Sequence, residues 1–217
     1  MSDTGLDIVA ATDAWAVVDK PPGLLSVPGI GPDKQDCVAA RAALAFPDAT
    51  GPLIVHRLDM ETSGLMVLGL TPEAQRSLSK QFEARTVAKR YAAILDGWLA
   101  FDAGEIALPL RADLDRRPIQ IVDHELGKPA LTRYRVVERG VWHARECTRV
   151  ELEPLTGRTH QLRVHAAHPD GLDAPILGDS LYGDPHAADR LLLHATRLAF
   201  DDPATGERID LDRPAPF

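Results

Sequence analysis

The stretch best equipped for chemistry is His56-Arg57-Leu58-Asp59-Met60-Glu61-Thr62-Ser63-Gly64. Before it, Leu53-Ile54-Val55 reads as a short buried strand, and after it Gly64 with Leu65-Met66-Val67-Leu68 reads as a turn entering another. Asp59 is thereby placed where two strands meet, a position from which a carboxylate can be aimed at a substrate. An aspartate there can equally cap a turn, and for an isolated residue that is the usual outcome. Thr62 and Ser63 have no histidine partner identifiable from spacing, so turn hydrogen bonds suit them better than a serine nucleophile.

Asp59 is not isolated. Lys20-Pro21-Pro22-Gly23-Leu24-Leu25-Ser26-Val27-Pro28-Gly29 precedes it, and Lys89-Arg90-Tyr91 with Ala93 and Gly97 follows. Next come Gly157-Arg158-Thr159-His160-Gln161-Leu162-Arg163-Val164-His165, then Pro175-Ile176-Leu177-Gly178-Asp179, Tyr182-Gly183 and Leu193-His194-Ala195. With HRLDxxTSG at its head, this ordered series resembles the RluA-type pseudouridine synthases. The likeness runs from about Trp15 to the C-terminus, and several motifs in fixed order are far more specific than any one of them.

The resemblance implies an α+β pseudouridine synthase fold, a mixed, mostly antiparallel sheet with flanking helices and loops around a central catalytic cleft. It also implies an isomerase that detaches a uracil from C1′ of its ribose, rotates it and rejoins it through C5. That reaction needs no redox cofactor and no metal. By resemblance Asp59 is the catalytic carboxylate, acting as nucleophile or by removing a ribose proton. Tyr91 stacks on the flipped base and assists the last proton removal, and Arg163 pairs with Asp59. Arg57, Lys89, Arg158 and His160 bind substrate. Physically these roles are reasonable: an aromatic platform is worth roughly 1 to 3 kcal/mol per base, and an apposed guanidinium favours an ionised carboxylate. Arg57, two residues from Asp59 on an extended segment, can hold a phosphate or fill the space of a uridine that leaves its stack. Taken singly, Tyr91 would be an ordinary strand tyrosine and Arg163 an ordinary helix-surface arginine.

The subgroup most resembled modifies the uridine opening the tRNA anticodon loop and a loop uridine of large-subunit (23S) ribosomal RNA. A structured stem-loop fits, since loop bases are more easily flipped than paired ones. The expected partner is therefore RNA, with no membrane, and the enzyme a cytoplasmic monomer.

These residues need elements to position them. Ile8 to Ala10 and Ala16 to Asp19 read as a hairpin, and Cys37 to Phe46 as an alanine-rich helix ended before Pro47. Thr71-Pro72-Glu73 starts a helix, with Thr71 as N-cap, running to about Ala84. Thr86 to Leu95, Arg117 to Val122, Leu131 to Glu138 and Ala144 to Leu152 have strand character. Thr159 to Ala167 reads as a helix with Thr159 its N-cap, and residues 201–217 as a hairpin or extended tail. Strands do not alternate strictly with helices, which favours α+β over a doubly wound sheet. At 217 residues and 45% hydrophobic content, one catalytic domain over residues 1–217, with two lobes at most and no N-terminal RNA-binding domain, is expected.

Composition restrains the reading. A net charge of -8 is the opposite of a general phosphate-binding surface. Its distribution is uneven: Asp3, Asp7, Asp13 and Asp19 lie near the N-terminus and Asp201, Asp202, Glu207, Asp210 and Asp212 in the tail, whereas Lys80, Arg85, Lys89, Arg90, Arg158 and Arg163 flank the motifs. Screening over roughly 8 to 10 Å lets a local basic site act despite distant acids. Cys37 and Cys147 form no CxxC pair, so they read as packing residues in a reducing compartment. No apolar leader or membrane-length run is present. His160, His165 and His168 lack metal-ligand company and read as hydrogen-bonding residues of a helix, and Gly29-Ile30-Gly31 as a flexible loop.

Two rivals remain. Asp59-Met60-Glu61-Thr62 loosely matches an aspartyl-phosphate motif, with Asp201-Asp202 as a magnesium pair, but its third position is Glu and Pro203 follows the supposed pair. A non-catalytic RNA-binding module has no use for a buried carboxylate beside a polyanion.

Overall fold

The structure is a computed structural model that describes residues Gly5–Phe217. In chain order it contains β1 (Asp7–Ala11), β2 (Trp15–Lys20), α1 (Val38–Ala45), β3 (Leu53–Ile54), β4 (Ser63–Gly69), α2 (Pro72–Ala84), β5 (Ala88–Asp96), β6 (Ala103–Ile106), β7 (Leu110–Ala112), β8 (Gln120–Val122), β9 (Thr132–Trp142), β10 (Arg145–Pro154), α3 (Gln161–Ala167), β11 (Leu193–Asp201) and β12 (Arg208–Asp212). The chain divides into two compact units, one formed by residues up to Lys89 with His194–Pro216, the other by Arg90–Leu193 with Phe217.

In the first unit β2 pairs antiparallel with β1 and β4, β11 meets β4 in parallel at Ser63 and Gly64, and β12 folds back on β11 as a hairpin. Every residue of β4 is buried, as expected of a central strand written almost wholly in apolar residues. Its core gathers Trp15, Val17, Leu65, Val67, Leu78, Val87, Leu198 and Phe200, with the Trp15 and Phe200 rings edge to face at 5.1 Å. Against this core α2 lays the stripe Ala74, Leu78 and Phe82, at i, i+4 and i+8. Thr71 caps it by accepting from the Ala74 N–H at 3.2 Å, and Pro72 opens it, as the sequence predicts. Cys37 caps α1, its sulfur accepting from the Ala40 N–H. Part of the acidic charge at the ends of the chain is paired within this unit: Arg213 pairs with Asp7 and Asp19, Arg197 with Asp210 and Arg208 with Asp201. Asp3 lies outside the described residues.

The second unit is an antiparallel meander in which β10 pairs with β5 and β9, and β9 with β6, beside the small β7–β8 hairpin. Beneath it, Leu110, Ala130 and Val164 pack together. The strand expected over Arg117–Val122 is shorter, because Asp113 turns the chain by accepting from Asp115 N–H and Pro118 supplies no donor, leaving Gln120–Val122.

Candidate active site

Asp59 lies in the irregular segment joining β3 to β4, half-buried, in a turn closed by Thr62 N–H donating to its carbonyl at 3.2 Å. The backbone on both sides of it is held. The Ser26 hydroxyl donates to the Leu58 carbonyl at 2.7 Å and accepts from the Leu58 N–H at 3.1 Å. The Lys20 ammonium donates to the carbonyls of Pro21 at 2.9 Å, Leu24 at 2.7 Å and Met60 at 2.9 Å. Both side chains are buried, Lys20 completely, so a charge that is costly to desolvate is satisfied by carbonyl dipoles. Gly23 N–H donates to Met60 O as well. Residues 20–26 thus grip the peptides immediately before and after Asp59. In the sequence, a lysine ending an otherwise buried strand signals the need for a polar partner but not which one.

Burial alternates along the segment: Arg57 is exposed, Leu58 buried, Asp59 intermediate. Arg57 makes no hydrogen bond or ion pair among the described residues. His56 is different. Val67 N–H donates to its Nε2 at 3.1 Å, which places the ring proton on Nδ1, and the ring stacks on Phe82 at 4.4 Å. Burial, with Lys89 nearby, pushes its pKa down to about 3, so His56 is a neutral structural residue rather than an acid or base. Lys89 sits 6.0 Å from the centre of the same Phe82 ring.

Ser63 does have a histidine partner. Its Oγ lies 2.8 Å from Nδ1 of His194, 131 residues away, brought there by the parallel register of β4 and β11. Both are buried, so the pair stitches two strands together at the end of the Asp59 segment. Gly64 follows with φ 112, in a region that disfavours side chains, and a Cβ there would lie 2.4 Å from the backbone N and O of Ala195.

In the second unit Tyr91 is buried on β5, opposite Leu152 of β10. Arg163 is no surface arginine: it is 2% exposed and forms a two-point ion pair with a fully buried Asp179, Nε to Oδ2 at 2.8 Å and Nη2 to Oδ1 at 2.6 Å. Asp179 Oδ1 also accepts from the N–H groups of Leu181 and Tyr182. The Tyr182 ring lies 5.4 Å from the Arg163 guanidinium, and its hydroxyl accepts from Gln120 N–H at 2.7 Å and meets His160 Nδ1 at 2.7 Å. His160 and Arg163 are therefore joined through Tyr182.

The expected helix start is corrected accordingly. α3 begins at Gln161, and its N-cap is His160 in the left-handed region at φ 53, not Thr159. Gln161 holds the loop before the helix instead: Oε1 accepts from Arg158 N–H and the Thr156 hydroxyl, Nε2 donates to Leu131 O and Thr132 Oγ1, and no side chain caps the helix itself. The Arg158 Nε is turned to the Pro129 carbonyl at 3.1 Å. His165 bridges Thr132 Oγ1 and Leu108 O, the structural use expected of it, and burial lowers its pKa. Among the described residues no cluster of three or more His, Cys, Asp or Glu is arranged for a metal ion. Asp201 pairs with Arg208, and Asp202 accepts from the Trp15 indole at 2.8 Å and from turn amides, so these two acids are structural.

The family model for RNA pseudouridylate synthases matches residues 14–168, which include Asp59, Tyr91 and Arg163. The chain belongs to this family. It is accordingly an isomerase that converts uridine to pseudouridine in RNA. The dual-specificity RNA pseudouridine synthase RluA of Pasteurella multocida (strain Pm70) is 43% identical over 219 residues, covering 100% of this chain and 96% of that protein. Its namesake in Escherichia coli K12 is 45% identical over 215 residues, 98% and 94% of the two chains. Among solved structures, human RNA pseudouridylate synthase domain containing 1 matches with a TM-score of 0.79 at 30% identity, covering 98% of this chain and 84% of that one. Human RNA pseudouridylate synthase domain containing 4 matches at 0.73 and 28%, covering 97% and 88%. The expected α+β pseudouridine synthase fold is borne out, and the phosphohydrolase and non-catalytic readings are set aside.

Proposed function

We propose that Asp59 is the catalytic carboxylate of this pseudouridine synthase and that its substrates are stem-loop RNAs, the tRNA anticodon loop, a loop of large-subunit ribosomal RNA, or both. The observation that carries the first part is the two-sided grip of Lys20 and Ser26 on the peptides flanking Asp59, which fixes where a carboxylate carrying the family motif stands. In the reaction the C1′–N1 bond breaks, a C1′–C5 bond forms, the C5 proton leaves and N1 takes up a proton, so product and substrate are isomers. Asp59 starts it either by attacking C1′ or by taking a ribose proton. Tyr91 supplies the ring on which the base stacks and assists the final deprotonation; Arg163, whose two-point partner is Asp179 and not the Asp59 expected from the resemblance, acts on Asp59 only as a positive charge that favours its ionised form. Arg57, Lys89, Arg158 and His160 hold the RNA.

The dual specificity in the relatives' names supports a pair of RNA substrates. No helix among the described residues is long and apolar enough to cross a membrane, and both cysteines are free thiols, as a reducing cytoplasm maintains. The working unit in this proposal is a single-domain monomer that needs no cofactor. Tritium release from RNA labelled at uridine C5, compared between an anticodon stem-loop and a ribosomal stem-loop, tests the substrate assignment. Release beyond one equivalent from at least one is expected; release from neither, while another RNA reacts, would reject it.

A further inference from the structure

Arg85 stands where glycine is usual. It follows α2 in the left-handed region at φ 59, and Thr86 N–H donates to Gln81 O while Arg85 N–H reaches Phe82 O. That is the Schellman arrangement, whose left-handed residue is normally Gly because a Cβ is strained there. The arginine opposes the negative end of the helix dipole, but it also crowds another cation: burial and Arg85 together lower the pKa of Lys89, which lies over the edge of the His56–Phe82 stack.

The absence of carboxylates is what makes this cluster unusual. In a chain of net charge -8 most arginines are paired with acids, Arg41, Arg76, Arg90, Arg111, Arg133 and Arg145 among them. Among the described residues Arg85 and Lys89 form no ion pair, and the nearby Glu83 is exposed and pairs with neither. Like charges gathered without neutralisation destabilise the free protein and stabilise it once an anion arrives. The neutral His56–Phe82 stack gives them a low-dielectric floor, which strengthens attraction to that anion.

We propose that Arg85 and Lys89, beside the His56–Phe82 stack at the end of α2, form one phosphodiester-binding site for the backbone of the substrate RNA. Arg85 is thereby an RNA-binding residue that the motifs do not mark. The site deepens the stem-loop reading and rests on it. Each lost phosphate contact lowers the slope of log K against log salt by about 0.7 to 0.9. Removing two cations therefore reduces the slope by about 1.6, which is about 40-fold in affinity at 0.1 M salt if the lines converge near 1 M.

The test is fluorescence anisotropy of a labelled anticodon stem-loop across a salt series, in an Asp59→Asn background so that the RNA is not converted. Arg85→Gln with Lys89→Gln is expected to show the slope loss. Arg85→Gly keeps the helix end without the strain, and it is expected to melt no lower than its parent while binding RNA several-fold more weakly. Unchanged slope and affinity in these variants would overturn the proposal. So would an equal loss from the exposed pair Lys34→Gln with Arg117→Gln, which would assign the effect to overall charge. If the parent does not bind the stem-loop, the failure belongs to the stem-loop reading, and the same variants titrated on single-stranded uridine-containing RNA decide the phosphodiester site by the same criterion.

Discussion

Replacing Asp179 by Asn tests how Arg163 is held. The two side chains are buried at 2% and 0% exposure and share two short contacts, at 2.8 and 2.6 Å, while Asp179 Oδ1 also takes the N–H groups of Leu181 and Tyr182. An asparagine keeps the shape but has one oxygen. If that oxygen serves Nη2 and the two amides, its NH2 faces the Nε–H donor at a distance meant for an acceptor. The guanidinium then remains buried without its counter-charge, a change that costs about 3 to 5 kcal/mol. For a chain of this length each kcal/mol moves the melting point by about 2 to 4 °C, so a fall of roughly 6 to 20 °C is expected by circular dichroism at pH 7. Because the penalty arises from the orphaned charge, adding Arg163→Met should recover part of it, with a coupling of about 1 to 3 kcal/mol in the double-mutant cycle. A melting point within about 2 °C of wild type, or strictly additive losses, would refute the reasoning.

Other outcomes follow from the same geometry. His56 has a folded pKa of about 3 against 6.5 unfolded, so folding excludes its proton: its stability contribution is complete above pH 6.5 and is lost as pH falls from 6.5 toward 3. By pH 5 the loss is about 2 kcal/mol in urea unfolding, and His56→Asn should lack that increment of pH dependence. Ser26→Ala leaves the buried Leu58 N–H and carbonyl without their shared partner, at about 1 to 3 kcal/mol, and should lower kcat with little change in KM, since RNA contacts are untouched; a pure KM effect would contradict the positioning role. Gly64→Ala drives a Cβ into the Ala195 backbone at 2.4 Å and should abolish soluble, cooperatively melting protein; wild-type stability would show the strands can part there.

How far the sequence reveals all this depends on the range of the interactions. α2 was fully readable, from Thr71 and Pro72 to Ala84, because cap, dipole and apolar stripe are local signals. The hairpin of β1 and β2 was readable for the same reason, from two apolar runs and a turn. The start of α3 was misplaced because Gln161, not a short capping side chain, satisfies the loop amide of Arg158. Ser63 and His194, or Arg163 and Asp179, become partners only through strand register and chain reversal, which no spacing rule encodes. Lys20 and Ser26 show the same limit within a motif: their types were visible, but their targets, the peptides around Asp59, are 32 to 40 residues away.

The most direct measurement is multiple-turnover tritium release from stem-loop RNA labelled at uridine C5, with wild type and Asp59→Asn side by side and a chelator present. The account predicts release that persists with chelator in the wild type and is absent in Asp59→Asn, although the variant still binds the RNA. Release by Asp59→Asn at a rate near wild type, or wild-type release that stops with chelator, would contradict it.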